Sequence, residues 1–401
     1  MTATISGLYD ADHHYYEPRD CYTRHIEAKY ADRAIRVVPG DEGPDGRYEQ
    51  VLVGDRPFTF LRHHSFDTAT RPGALREMLR NLKSGRVDDD GDSLVEPLRP
   101  EYVSRSARLA TMDRQGVESC LMFPTLGVCV EHFMKDDVEQ MYANVRAFNR
   151  WIEDDWGYGR DGRIVGVPLL NLLSLDHAVS ELDRVLGAGA RAIALRPGPA
   201  YGRSPADPYF DPFWSRVNEA RVPVCLHIGE SGYNEMMSVH WGEEANPASH
   251  FQSAFQWSCF YGDRPIMDTI AAFVFHNLFG RYPDINVISV ENGSLFVPYL
   301  MAVMDKMKGM GRNGPWIGGY VSGRPSEIVK QRVFVSPYHE EDIVALVRAL
   351  GPSQVVFGSD WPHPEGLAEP RDFAATIEEL PAVERQMLLR ENLRGLLAAT
   401  A

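Results

Sequence analysis

The chain has no run of roughly 18 or more apolar residues, so no stretch of it is expected to cross a membrane as a helix. No basic segment followed by an apolar core opens it either, so the expected location is the cytoplasm rather than a secretory route. Cysteine is scarce: Cys21, Cys120, Cys129, Cys225 and Cys259 are an odd number at irregular spacings with no C-x-x-C. That pattern excludes a disulfide frame and a zinc–thiolate site, and leaves reduced, mostly buried thiols. Positive charge is short as well, since the formal net charge is −15, which disfavours nucleic acid and anionic membranes as partners. Local positive charge can still hold a small anionic substrate.

What is present is an ordinary globular composition, 44% hydrophobic and 24% charged over 401 residues. One large α/β core is feasible at that length. Residues 19 to 103 read poorly as regular structure. Gly40-Asp41-Glu42-Gly43-Pro44-Asp45-Gly46 is turn-rich, and Arg47 to Pro57 alternates as a hairpin strand would. Asp88-Asp89-Asp90 lacks the spacing of a calcium loop and reads as a solvated acidic turn. This stretch is expected to be an insertion decorating a single domain that spans 1–401.

From Ser104 the pattern becomes regular. Helical periodicity ending at Gly116 is followed by an apolar strand from Val117 to Pro124, and the alternation repeats. The expected strands are Ile164–Leu170, Ala190–Arg196, Val222–His227, Ile285–Glu291, Arg332–Ser336 and Val355–Asp360, with helices such as Val138–Asp155, Leu175–Gly187 and Ile266–Tyr282 between them. With a first strand at residues 7–14 the count is eight, which favours a distorted (βα)8 TIM barrel with an N-terminal insertion.

Barrel chemistry sits where strands end, and His14, Arg196, His227, Glu291 and Asp360 each end an apolar run. In Asp10-Ala11-Asp12-His13-His14, strand parity puts Asp10, Asp12 and His14 on one face and His13 on the other. Asp12 and His14 together suit zinc, manganese or iron. Arg196 could clamp an anionic substrate or could simply bond backbone carbonyls. The segment after His227 is too long for a bare turn, so Tyr233, His240 and Trp241 are expected to border a pocket, with His240 or His250 as an extra ligand. Tyr15, Trp361 and His363 are expected to flank the metal.

Asp10-x-Asp12-x-His14 with Glu17-Pro18, Val222 to His227, Val290-Glu291-Asn292-Gly293, and Gly358-Ser359-Asp360-Trp361-Pro362-His363 together resemble the amidohydrolase-related metal-dependent family, in its aminocarboxymuconate semialdehyde decarboxylase-like branch. The resemblance runs from residue 10 to 363. It implies one divalent ion (Zn, Mn or Fe) on Asp12, His14, His227 and Asp360, with spare groups that could serve a second metal, and a homodimer. Asp12 stands where many members have histidine, which adds negative charge and tilts the site from zinc towards manganese or iron. Glu291 stands where several decarboxylases have histidine, so the proton donor does not transfer, and Asp360, Glu291 and His276 are the candidate catalytic groups. The implied activity is decarboxylation or hydrolysis of a small carboxylated or carbonyl-containing substrate. A dinuclear iron or manganese oxygenase and a non-catalytic partner subunit are the alternatives.

Overall fold

The computed structural model describes residues 7–43, 46–61, 65–84 and 94–400. Its first strand, β1 (Leu8–Tyr15), is buried along almost its whole length. The insertion comes next: β2 (Ile35–Gly43), β3 (Gly46–Val53) and β4 (Arg56–Pro57) form an antiparallel sheet, and β5 (Thr68–Thr70) pairs with β6 (Val95–Pro97). The region is more regular than its composition suggests, because much of the turn-rich stretch is paired: Glu42 lies opposite Arg47 and Gly43 opposite Gly46 in the β2–β3 ladder. Asp88, Asp89 and Asp90 lie outside the described residues.

β1 pairs in parallel with β7 (Val117–Pro124), and β7 with β8 (Ile164–Gly166). A second parallel sheet runs through β9 (Leu169–Leu170), β10 (Ile193–Leu195), β11 (Val224–His227), β12 (Val287–Val290) and β13 (Val333–Val335) in that order. β8 and β9 are two halves of the expected Ile164–Leu170 strand, divided at Pro168, which has no N–H to give a ladder. The expected eighth strand is an extended segment rather than a regular ladder. It still bridges the two edges: Val356 N–H donates to Val335 O (3.0 Å), Ala11 N–H to Phe357 O (2.8 Å), Asp360 N–H to Asp12 O (2.8 Å) and His14 N–H to Trp361 O (2.8 Å). The result is a distorted (βα)8 barrel. Among the described residues no helix is long and apolar enough to cross a membrane.

The helices follow from local signals. Val138–Asp155 starts where Asp137 accepts the Gln140 N–H (3.0 Å) and buries Met141, Phe148, Trp151 and Ile152 against the barrel. The helix expected at Ile266–Tyr282 is two, Asp263–Phe275 and Leu278–Arg281, broken at Asn277, whose φ of 53° no helix continues through.

Among the side chains that join the insertion to the barrel is one that is fully buried. Asn144, fully buried on the 138–155 helix, accepts the Ile35 N–H (2.7 Å) and donates to Arg33 O (3.0 Å). Asn144→Leu strands the Ile35 N–H, while Arg33 O keeps the Gln140 Nε2–H as a donor (3.0 Å), at a cost of about 1–3 kcal/mol. Denaturant unfolding is expected to register that loss, and an unchanged midpoint would rule out the anchor.

Candidate metal centre and its cavity

The register of β1 shifts between Asp10, opposite Cys120, and His13, opposite Met122. The extra residue is a bulge, and it changes the expected parity. Asp12 and His14 face the barrel axis together, whereas Asp10 turns to the other side and meets His13 (Oδ2–Nε2 3.1 Å). Asp10 Oδ1 then accepts the N–H groups of Asp12 (3.0 Å) and Ser359 (2.9 Å), tying the first strand to the closing segment. Behind them Arg108, fully buried, donates to His14 O (2.6 Å) and Glu101 O (2.7 Å) and contacts His13 Nδ1 (3.3 Å).

At the strand ends His14 Nδ1 donates to Pro124 O (3.1 Å) and His227 Nδ1 to Ile228 O (2.7 Å). Each bond fixes a tautomer whose Nε2 carries only a lone pair, and these two atoms face each other at 3.2 Å. Asp12 Oδ1 lies 3.2 Å from one and 3.5 Å from the other, buried and without a hydrogen-bond partner. Glu291 Oε2 lies 3.3 Å from His227 Nε2 and 3.9 Å from His14 Nε2. Two lone pairs and two carboxylates facing one point repel one another unless a cation stands among them, so these residues fit a divalent ion. Asp12, His14, His227 and Glu291 form one such donor set; His14, Asp360 and His363 form a second, and Glu291, Asp360 and Glu365 a third.

Charge confirms the crowding. Burial, then the carboxylates of Asp360 and Asp12, holds Glu291 well above the usual carboxylate range. Burial, then Glu365 and Asp12, does the same to Asp360. Burial would also raise Asp12, but the imidazoles beside it pull it below that range. His14 is driven well below the usual imidazole value by burial and by His363, which keeps it neutral and able to ligate. A bound cation would favour the ionised form of each carboxylate.

Glu291 and Asp360 both have left-handed backbones, φ 56° and 54°. Such strain in non-glycine residues persists where the surroundings impose it. Here the Tyr338 hydroxyl donates to Glu291 O (2.8 Å), and Asp360 is pinned by its own N–H on Asp12 O. Gly358 is required beside them, because a Cβ there would press on Ser336 Oγ and lie 2.8 Å from Asp12 Cβ.

Two cavities meet at the cluster. One of about 440 Å³ reaches His14, His227, Glu291 and His363 and is walled by Tyr16 and by Phe60, Leu61 and Val95 of the insertion. The other, about 300 Å³, reaches Asp12, Glu291 and Asp360 past Tyr261 and Tyr338. The insertion is thus a wall of the site, a role its sequence did not disclose. Glu365, at the rim, was also missed, since it follows the closing segment and carries no motif signal.

Other expected site residues lie elsewhere. Arg196 donates to Glu131 (2.8 Å), Pro199 O (3.2 Å) and Ser231 O, so its fork is already filled. His276 caps a helix and bonds Ser204 Oγ (2.6 Å), beside a separate groove that Tyr233 also lines. His240 is exposed, and Trp241, 68% exposed, stacks edge-on against Phe255. Tyr15 is packed between Trp151 and Trp156 in the core. Trp361 packs on His13 and under Arg108, away from the cluster. His363 does adjoin it, 2.7 Å from Asp360. The His250 side chain lies outside the described residues.

Glu17 holds the cavity's turn: its Oε1 accepts the N–H groups of Leu126 (2.9 Å) and Gly127 (2.8 Å), and burial pushes its carboxyl up to about 7. A raised folded value means that its contribution to stability is complete below the unfolded value and is lost as pH rises through the folded one. Glu17→Gln keeps an acceptor without the charge. Wild type should therefore lose stability relative to this variant between about pH 5 and 8 and hold a constant gap above. Urea midpoints across that range would show it; a gap independent of pH would contradict it.

The amidohydrolase family model matches residues 9–397, barrel and insertion together. An amidohydrolase of known structure from Mycobacterium avium subsp. paratuberculosis K-10 is 35% identical, with 98% of this chain and 100% of that one covered and a TM-score of 0.85. A dihydroxybenzoic acid decarboxylase from Polaromonas sp. JS666, solved with bound manganese and the inhibitor 2-nitroresorcinol, is 13% identical over 98% of this chain and 97% of its own, with a TM-score of 0.57. The 2-amino-3-carboxymuconate-6-semialdehyde decarboxylase of Dictyostelium discoideum is 22% identical over 234 residues, 57% of this chain and 60% of that protein. The chain thus spans about three-fifths of the length of that curated relative.

Proposed function

Because the chain belongs to the amidohydrolase family, we propose that it is a metal-dependent decarboxylase that removes CO2 from a small unsaturated or aromatic carboxylate without oxygen. Asp12, His14, His227 and Glu291 would hold the divalent ion, with manganese or iron suited to two carboxylates and two imidazoles. Bound there, the ion would supply the positive charge that holds the substrate's carboxylate and an adjacent oxygen.

One observation favours decarboxylation over hydrolysis. Thr125 Oγ1 contacts both Tyr15 O (2.8 Å) and His363 Nε2 (2.9 Å). A carbonyl only accepts, so both contacts are hydrogen bonds only if the threonine donates to Tyr15 and accepts from His363 Nε2–H. His363 therefore carries a proton on Nε2. Its Nδ1 lies 2.7 Å from Asp360 Oδ1, a distance that also requires a proton between the two. Asp360 and His363 thus share a transferable proton and meet the cavity as an acid. Hydrolysis would begin by asking the same carboxylate to take a proton from water, which a group already holding one does poorly.

The step follows from that arrangement. The shared proton moves from Asp360 to the substrate carbon that bears the carboxylate. The bond from that carbon to the carboxylate carbon then breaks, its electron pair returns to the unsaturated body, and CO2 departs. Solvent reprotonates the pair through the cavity, so the sum is carboxylate plus proton giving CO2 and the protonated body. Phe60, Leu61 and Val95 keep the body out of bulk water.

Metal analysis with a CO2-release assay over hydroxybenzoates and unsaturated acids tests this reading. The expected result is about one divalent ion per chain and CO2 release without O2. Asp360→Asn is expected to keep the metal and lose roughly 10²–10⁴-fold in kcat. Cleavage of lactones or amides with no CO2 would assign the site to hydrolysis, and O2 consumption with two ions per chain would assign it to oxygenation.

A further inference from the structure

The two cavities at the metal cluster share part of their walls. Ile228, Ser249, Tyr261, Glu291 and Glu365 border both. Glu291 belongs to the donor set for the ion, and Glu365 is an exposed carboxylate at the rim. Ser249 and Tyr261, both from the long segment after His227, bring hydroxyls to the junction instead.

Each is held in place by its surroundings. The Ser249 N–H donates to Phe60 O (2.8 Å) and the Tyr261 N–H to Gln256 O (3.2 Å), while the Tyr261 ring stands edge-on to Trp257 with centroids 4.7 Å apart. The Tyr338 hydroxyl beside them is taken by Glu291 O. Among the described residues, the hydroxyls of Ser249 and Tyr261 have no hydrogen-bond partner. They are not shut away, as the unpaired hydroxyls of Tyr15 and Tyr22 are in the core. Ser249 is only 8% exposed, so the opening it meets is the cavity itself. The Tyr261 oxygen stands between the two hollows. Burial, then Cys129 on the wall of one, Glu230, and Glu291 on the wall of both hold it well above the usual phenol range, so it keeps its proton and donates.

A ligand that fills the junction and displaces water must satisfy those two donors or leave them unpaired. The carboxylate of Glu365 faces the same space and can only accept. A neutral hydroxyl suits both demands, because it accepts from Tyr261 or Ser249 and donates to the carboxylate. A second carboxylate on the ligand could only accept, and Glu365 and Glu291 would repel it.

We propose that Tyr261, assisted by Ser249, is the specificity-determining residue of this cavity and reads a neutral hydroxyl on the substrate body, away from the carboxylate at the metal cluster. The substrate is then a hydroxylated monocarboxylate and not a dicarboxylate. This inference rests on the reading of the cluster as a metal centre that binds a carboxylate. It adds the group that the far side of the cavity selects.

Titration calorimetry of the manganese-loaded protein with benzoate, 3-hydroxybenzoate, 4-hydroxybenzoate, isophthalate and terephthalate tests it, with KM taking the place of Kd for any acid that is turned over. One of the two hydroxybenzoates is expected to bind at least about tenfold more tightly than benzoate, since a site built to bond a hydroxyl rejects the analogue without it. The dicarboxylate with its second carboxylate at the same ring position is expected to bind at least about tenfold more weakly than that hydroxybenzoate. Tyr261→Phe should erase the hydroxyl's gain and leave benzoate affinity unchanged; for an acid that is turned over, it should raise KM more than it lowers kcat. Ser249→Ala should remove part of the gain, and it carries the test if Tyr261→Phe does not fold. A gain that persists in the folded variants overturns the assignment, and a dicarboxylate that binds as tightly as the hydroxybenzoate overturns the substrate class. Benzoate binding with no gain from either hydroxyl refutes this inference alone and leaves the metal-centre reading standing. Failure of all five acids to bind refutes both.

Discussion

The arrangement at the heart of this protein is a repulsion. Two imidazoles, His14 and His227, face each other with bare nitrogens 3.2 Å apart, and each is held there by a backbone carbonyl on its other nitrogen. Neither ring can rotate away without leaving a buried donor unpaired. The surrounding framework enforces the same outcome: Arg108 fixes His14 through its carbonyl, and the Asn292 side-chain amide donates to Leu226 O (2.8 Å) directly before His227. A fold that spends so many buried bonds on holding two lone pairs together is organised around a cation.

This also accounts for what was legible in the sequence. Residue type at the end of an apolar run is a local property, and the barrel rule translates it into position, so His14, His227, Glu291 and Asp360 could be named without coordinates, and Asp12 followed from sharing a strand face with His14. The facing of Asp10 could not be, because a bulge depends on the partner strand: only the pairing with Cys120 and Met122 shows that an extra residue intervenes. Arg196 illustrates a different gap. It does end a strand, but its partners Glu131, Pro199 and Ser231 arrive from other segments, and nothing near it in sequence says that its donors are taken.

The insertion was the least readable part for the same reason. Its strands pair with one another, yet its meaning lies in contacts far along the chain: Asn144 on Ile35, Phe60 O accepting the Ser249 N–H (2.8 Å), and Phe60, Leu61 and Val95 forming one side of the cavity. Turn-rich composition signals a decoration, whereas packing makes this one a wall. The aromatic segment after His227 shows the converse. Trp241 drew attention by chemistry alone, but it stays in solvent, while Tyr261 and Tyr338 reach the cluster from beyond the expected stretch.

The closing segment unites these features. Residues 355 to 361 form no regular ladder, yet their backbone bonds join β13 to β1 and complete the barrel. Asp360 sits at the end of that seam in a left-handed conformation that costs of order 1–3 kcal/mol in isolation. The cost is offset by bonds that converge on three residues: Ser359 N–H on Asp10, Asp360 N–H on Asp12 O, and His363 N–H on Asp360 O (2.9 Å). Relaxing the strain would therefore open the barrel's last seam, release the Asp10 link to Asp12 and part Asp360 from His363 at once. The irregularity of the eighth strand is the means by which barrel closure, the metal cluster and the proton-bearing pair become a single structural unit.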